Sequence, residues 1–170
     1  MSSIDSSGSQ ASVLLYGYGN PGRQDDGAGV LLVDELEIWA ASSGRTDLVF
    51  ERNYQLNVED AWTAARHDIV VFVDASRAHE EGFRFRPLEP ALRIAFSTHA
   101  MNPESVLALC RDLYGVQPSA YLLTVRGYSW EPNGAMTADA RRNLEAAKAD
   151  LVAILEAPGN LLHPLGPQER

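Results

Sequence analysis

The run Val13-Leu14-Leu15-Tyr16-Gly17-Tyr18 is apolar along its length and is closed by Gly19-Asn20-Pro21-Gly22. Successive side chains of a strand point to opposite sides of its sheet, so a strand that is apolar throughout must be covered on both faces. From Asp26 to about Ser42 the apolar residues Ala28, Leu31, Leu32, Leu36 and Trp39 recur at helical spacing, with Asp34, Glu35 and Glu37 among them. A doubly buried strand that turns straight into a helix leaves few architectures other than layered α/β.

The rest of the chain repeats the alternation. Leu48-Val49-Phe50-Glu51 reads as a second strand, and Asn57 with Asp60 as the start of a short helix carrying Ala61, Trp62 and Ala65. Ile69-Val70-Val71-Phe72-Val73 is the clearest strand and is expected to stop at Asp74. Phe83-Arg84-Phe85-Arg86 alternates like a half-exposed strand, which belongs at a sheet edge. Asn102-Pro103 predicts a capped helix whose apolar face is Val106, Leu107, Cys110, Leu113 and Tyr114, ended by Gly115. Tyr121-Leu122-Leu123-Thr124-Val125 is the last strand, and Thr137 caps a final helix that buries Ala140, Leu144, Ala147, Leu151, Ile154 and Leu155. Strands and helices in β-α-β order imply a mostly parallel sheet with helices on both faces.

With 170 residues, 45% of them hydrophobic, the chain suits one compact domain. That domain is expected over 12–157, after a disordered leader at 1–11 and before a poorly ordered tail at 158–170 that holds Pro164, Gly166 and Pro167. The N-terminus has neither a basic region nor an apolar stretch, and no segment has the length of a membrane span, so a soluble, cytoplasmic protein is expected. A net charge of -9 and a pI near 4.8 oppose a nucleic acid or an anionic membrane as partner and favour a protein or a cation. The one cysteine, Cys110, rules out a disulfide framework and a thiolate cage, and reads as a core thiol.

Gly17, Gly19 and Gly22 satisfy the G-x-G-x-x-G spacing of a dinucleotide-binding turn. Such a turn works because the following helix N-terminus offers amides and a positive end to a pyrophosphate. Here Asp25 and Asp26 occupy that place, and Pro21 removes one amide donor. Glu51 after the second strand could hold a ribose but does not restore the phosphate site, so no tightly held organic cofactor is expected. One aspartate suffices for a cap. The second points elsewhere, and the carboxyl ends of the strands are where open α/β sheets place ligands, which makes Asp26 a candidate ligand. Asp74 emerges at the same edge, and His99, in Ser97-Thr98-His99-Ala100-Met101-Asn102, is the third candidate. Two carboxylates and an imidazole suit a divalent transition ion, although Asp74 alone also reads as a loop cap and His99 alone as a hydrogen-bonded loop residue. His67 precedes the third strand at its opposite end, His163 lies in the tail, and His79 follows Asp74 in a loop with Glu80 and Glu81.

Taken together, Gly17-Tyr18-Gly19-Asn20-Pro21-x-x-x-Asp25-Asp26-Gly27-x-Gly29, the Val-Asp74-Ala strand end and the Ser-x-His99 loop resemble the nickel-iron hydrogenase maturation endopeptidases, over about Val13 to Leu155. The resemblance implies a five-stranded twisted α/β domain that trims a short C-terminal peptide from a hydrogenase large-subunit precursor once nickel is in place. It implies Asp26, Asp74 and His99 as metal-binding residues, meeting nickel already held by the substrate's cysteines, and Asp26 and Asp74 as the carboxylates of the chemistry. A metal-polarised water and an aspartic-protease route both need them. The enzyme is expected to act as a monomer.

Two departures stand out. Many members carry glutamate at the position of Asp26, one methylene longer, and many carry an Asp-Gly-Gly-Thr-like turn where this chain has Arg52-Asn53-Tyr54-Gln55-Leu56, a loop expected to border the substrate. Peptidyl-tRNA hydrolase shares a Gly-x-Gly-Asn-Pro-Gly start, but its motif continues into an Arg-His-Asn segment where this chain has Asp25-Asp26-Gly27. A non-catalytic chaperone that senses the nickel centre on the same scaffold is the other alternative.

Overall fold

The computed structural model describes residues 11–78, 80–93 and 101–162. Five strands, β1 (Val13–Tyr18), β2 (Leu48–Asn53), β3 (Ile69–Ser76), β4 (Phe83–Leu88) and β5 (Ser119–Arg126), form one sheet in the order β2-β1-β3-β5-β4. The first four in that order run parallel, and β4 closes the edge antiparallel to β5. The edge position expected for residues 83–86 is where the strand lies, and Pro87 is tolerated there because an edge strand need not donate on both sides.

Helices α1 (Ala28–Ser42), α2 (Asp60–Ala64), α3 (Pro103–Tyr114) and α4 (Ala138–Leu155) cover both faces. Alternation divides the core into two layers: Val13, Leu15, Val71, Val73 and Leu123 pack with Leu32 and Leu36 of α1 and Leu144 and Leu151 of α4. The residues between them, Leu14, Tyr16, Val70, Phe72 and Leu122, pack with Ala61 and Ala64 of α2 and Val106, Leu107 and Cys110 of α3. Cys110 is fully buried, its thiol donates to the Ala61 carbonyl at 3.4 Å, and burial pushes its pKa up to about 11.

Several boundaries differ from expectation, each because pairing or packing overrides local pattern. β3 runs on through Asp74 to Ser76, since Asp74 pairs with Thr124 and Ser76 with Arg126 of β5. In α3 the buried run is Ser105–Cys110, while Leu113 and Tyr114 face solvent. Asn57 does not cap α2 with its side chain; its backbone N–H donates to Asp60 Oδ2 at 2.6 Å. After α4 the chain makes a further 3-10 turn, Pro158–Leu161, that buries Leu161 and lets Tyr121 Oη donate to the Leu161 carbonyl at 2.8 Å, so the packed region runs past residue 157. The caps expected at Asn102 and Thr137 form, with Ser105 N donating to Asn102 Oδ1 at 2.8 Å and Ala140 N to Thr137 Oγ1 at 3.2 Å. Gly115 takes the left-handed conformation that ends α3. Among the described residues no helix is long and apolar enough to cross a membrane.

Candidate active site

From β1 the chain passes to β2 on one side and later to β3 on the other, so the crevice between the carboxyl ends of β1 and β3 is the switch point of the sheet. The turn after β1 is folded tightly into that crevice. Gly19 has φ +131°, and a Cβ there would overlap the Asp26 carbonyl oxygen. A Cβ on Gly29 would overlap the carbonyl oxygens of Val73 and Tyr18, so the start of α1 is wedged between the two strand ends. A 3-10 turn, Gln24–Gly27, precedes α1, whose N-cap is Gly27 with no side-chain cap. The two aspartates therefore do not cap α1, because the intervening turn aims their carboxylates away from its first amides.

Asp25 points inward and has no solvent exposure. Its Oδ2 accepts from Tyr128 N at 2.8 Å, Ser129 N at 3.1 Å and Thr137 Oγ1 at 2.8 Å, and its Oδ1 from Thr137 N at 2.7 Å. Burial works to raise its pKa, but these donors outweigh it and hold the carboxyl below the usual range. Asp25 thus staples the β1–α1 turn to the loop between β5 and α4.

Asp26 and Asp74 lie in the crevice. Trp130 Nε1 donates to Asp26 Oδ1 at 2.9 Å, and Asn20 N reaches Oδ2 at 3.3 Å. Asp74, half-buried, accepts from Ala75 N at 2.8 Å and hydrogen-bonds the Tyr18 hydroxyl. Burial pushes its pKa up to about 7, with the Asp26 charge adding to the rise and the two hydrogen bonds opposing it. The phenol of Tyr18 is raised in turn, by burial first and then by Asp74. A carboxyl that titrates near neutrality beside a second carboxylate is suited to taking and giving a proton.

Of the three candidate ligands, Asp26 and Asp74 lie near enough for the Asp26 charge to act on Asp74, and His99 lies outside the described residues, as do His79 and His163. The described chain resumes at Met101, which is bridged to Leu56 just beyond β2, with Met101 N donating to the Leu56 carbonyl at 3.2 Å. His67 sits before β3 at the far end, its Nδ1 2.9 Å from the Thr63 carbonyl. Among the described residues no three His, Cys, Asp or Glu side chains are grouped to hold a metal ion. In the Arg52–Leu56 segment, Arg52 pairs with Asp34 and Glu37 of α1, Leu56 is buried and Tyr54 is exposed. Sequence reasoning missed Tyr18 and Trp130. Tyr18 stood inside the glycine motif as a neutral spacer, whereas Trp130 lies in a loop with no periodicity to mark it.

No protein-family model matches the chain, and no curated protein sequence matches it either. Solved structures do. The nickel-iron hydrogenase maturation protease HycI from Thermococcus kodakarensis KOD1 is 22% identical, over 88% of this chain and 95% of that one, with a TM-score of 0.66. The hydrogenase maturating endopeptidase HybD from E. coli is also 22% identical, over 87% and 94%, with a TM-score of 0.69. The hydrogenase 2 maturation peptidase from a Thaumarchaeota archaeon is 19% identical, over 85% and 97%, with a TM-score of 0.59. The fold built around the β1–β3 crevice of this chain is the fold of the hydrogenase maturation proteases.

Proposed function

We propose that the chain is a cytoplasmic endopeptidase that removes a short C-terminal peptide from the precursor of a nickel-iron hydrogenase large subunit after nickel insertion. Asp26 and Asp74 are its catalytic carboxylates, and His99 joins them as a ligand to the nickel, which belongs to the substrate. The observation that supports this reading is that the Asp26 charge acts on a half-buried Asp74 at the switch point of a sheet whose structural neighbours are maturation proteases. Two carboxylates and one imidazole form a ligand set of moderate affinity, one that needs thiolates from the substrate to complete the ion's shell. Asp74, poised near neutrality, supports either a metal-polarised water or an aspartic-type attack.

The test is incubation of the purified protein with nickel-loaded and nickel-free precursor, followed by intact mass. Loss of a C-terminal peptide from the loaded precursor alone is the expected result. Binding without cleavage would favour the chaperone, and trimming of the metal-free precursor at full rate would remove nickel from the reading.

A further inference from the structure

We infer that Trp130 is a positioning residue of this site: its indole N–H holds Oδ1 of Asp26 and leaves Oδ2 to the longer contact from Asn20 N. What Asp26 is positioned for rests on the proteolytic reading; the contact itself does not. An indole N–H can only donate, and here it donates to a candidate catalytic carboxylate at 2.9 Å. Among the described residues the other oxygen has only the long 3.3 Å contact from Asn20 N, so it is the one left for substrate.

The indole is held from several directions. A Cβ on Gly127 would lie 2.5 Å from the ring, so only glycine lets the ring settle there. The Arg77 guanidinium lies over the ring, 4.1 Å from its centroid, which fixes its tilt by cation–π attraction. The loop that carries Trp130 is tied to the turn that carries Asp26: Arg23 Nε donates to the Trp130 carbonyl at 3.3 Å, Glu131 N to Gln24 Oε1 at 3.1 Å and Asn133 N to the Gly22 carbonyl at 2.9 Å. Donor and acceptor thus sit on two segments bound to each other, which is the support a fixed carboxylate geometry requires.

Trp130→Phe keeps a ring for Gly127 and Arg77 and removes only the donor. Loss of a hydrogen bond to a charged group should lower kcat for precursor processing by roughly 10- to 100-fold, with KM and Tm close to wild type. A parallel fall in Tm and a KM rise with kcat intact would mean that Trp130 only fills space. The second measurement needs no activity: with indole nitrogen labelling, the resonance missing from Trp130→Phe identifies Trp130, and it should move upfield in Asp26→Asn while those of Trp39 and Trp62 stay. Should Trp130→Phe fail to fold, Trp39→Phe and Trp62→Phe assign the Trp130 resonance by elimination, and its shift in Asp26→Asn still decides the contact. An Asp26→Asn spectrum with all three resonances unmoved overturns the inference. If wild-type protein leaves the loaded precursor intact, the proteolytic reading fails by itself, and the indole shift still decides whether Trp130 holds Asp26.

Discussion

Asp25, fully buried, and Asp74, half-buried, sit at the same edge of one sheet, yet their carboxyls are driven in opposite directions. Among the described residues Asp25 receives three backbone N–H groups and a hydroxyl and is held low; Asp74 receives one backbone N–H and one phenol and is pushed up to about 7. Burial penalises the charged form in both places, and the number of donors decides which effect wins. One carboxylate is thereby fixed as a permanent charge that joins two loops. The other is left able to change its proton.

The largest effect on stability is expected at the staple. Asp25→Ala strands Tyr128 N, Ser129 N and Thr137 N in a partly buried place and should cost roughly 3–5 kcal/mol, read as a lower denaturation midpoint. Because its folded pKa is lowered, the stability Asp25 contributes is present above the unfolded carboxylate pKa and is lost as pH falls through the folded value. A loss below about 1 kcal/mol would break the contrast, since it would mean that the donors had found water instead.

Asp74→Asn should act with the opposite sign. The folded pKa is raised, so the wild type has its full stability from this group below the unfolded pKa near 4, and loses it as pH rises toward about 7. Asparagine does not titrate and can still accept from Ala75 N and Tyr18. Melting curves of the two proteins should therefore coincide near pH 4 and separate by on the order of 2–4 kcal/mol at pH 8, with the variant the more stable. Equal curves at both pH values would mean that the crevice is wet and that Asp74 is an ordinary surface acid.

Thr137→Val tests the staple more gently. The hydroxyl donates to Asp25 and accepts from Ala140 N, so its loss removes a cap of α4 and one of four Asp25 donors while sparing the backbone bond. A cost of roughly 1–2 kcal/mol in denaturant unfolding is expected. A value as large as that for Asp25→Ala would show that the hydroxyl, and not the backbone amides, carries the clamp.

What could be read from the chain beforehand follows from how local each signal is. Strand and helix identity were legible because alternate residues of β1, β3 and β5 serve two different helical layers, and apolar runs of that kind need no partner to be recognised. The end of β3 was not, because Asp74–Ser76 continue as strand only by pairing with β5, fifty residues on. The neighbouring aspartates do point in different directions, but the cap expected of one of them does not form, since a 3-10 turn intervenes and Gly27 is the N-cap of α1. The donors that separate Asp25 from Asp74 come from residues 128–137 and from Tyr18, and no spacing rule links a loop tryptophan to a carboxylate more than a hundred residues earlier.

The smallest change in stability, with the largest in activity, is expected one residue from the staple. Asp26→Asn keeps an acceptor for Trp130 Nε1, the contact with Asn20 N is already long, and the side chain is only half-buried. Its unfolding free energy should stay within about 0.5 kcal/mol of wild type, the range of substitutions that break no buried network. Processing of nickel-loaded precursor should nevertheless cease, because a neutral amide neither accepts the proton nor offers the metal a charged oxygen. Adjacent residues would then answer the same removal of charge in opposite ways, Asp25 through the fold and Asp26 through the reaction. An Asp26→Asn protein that unfolded as readily as Asp25→Ala would place both carboxylates in the staple and leave Asp74 as the one functional acid of the crevice.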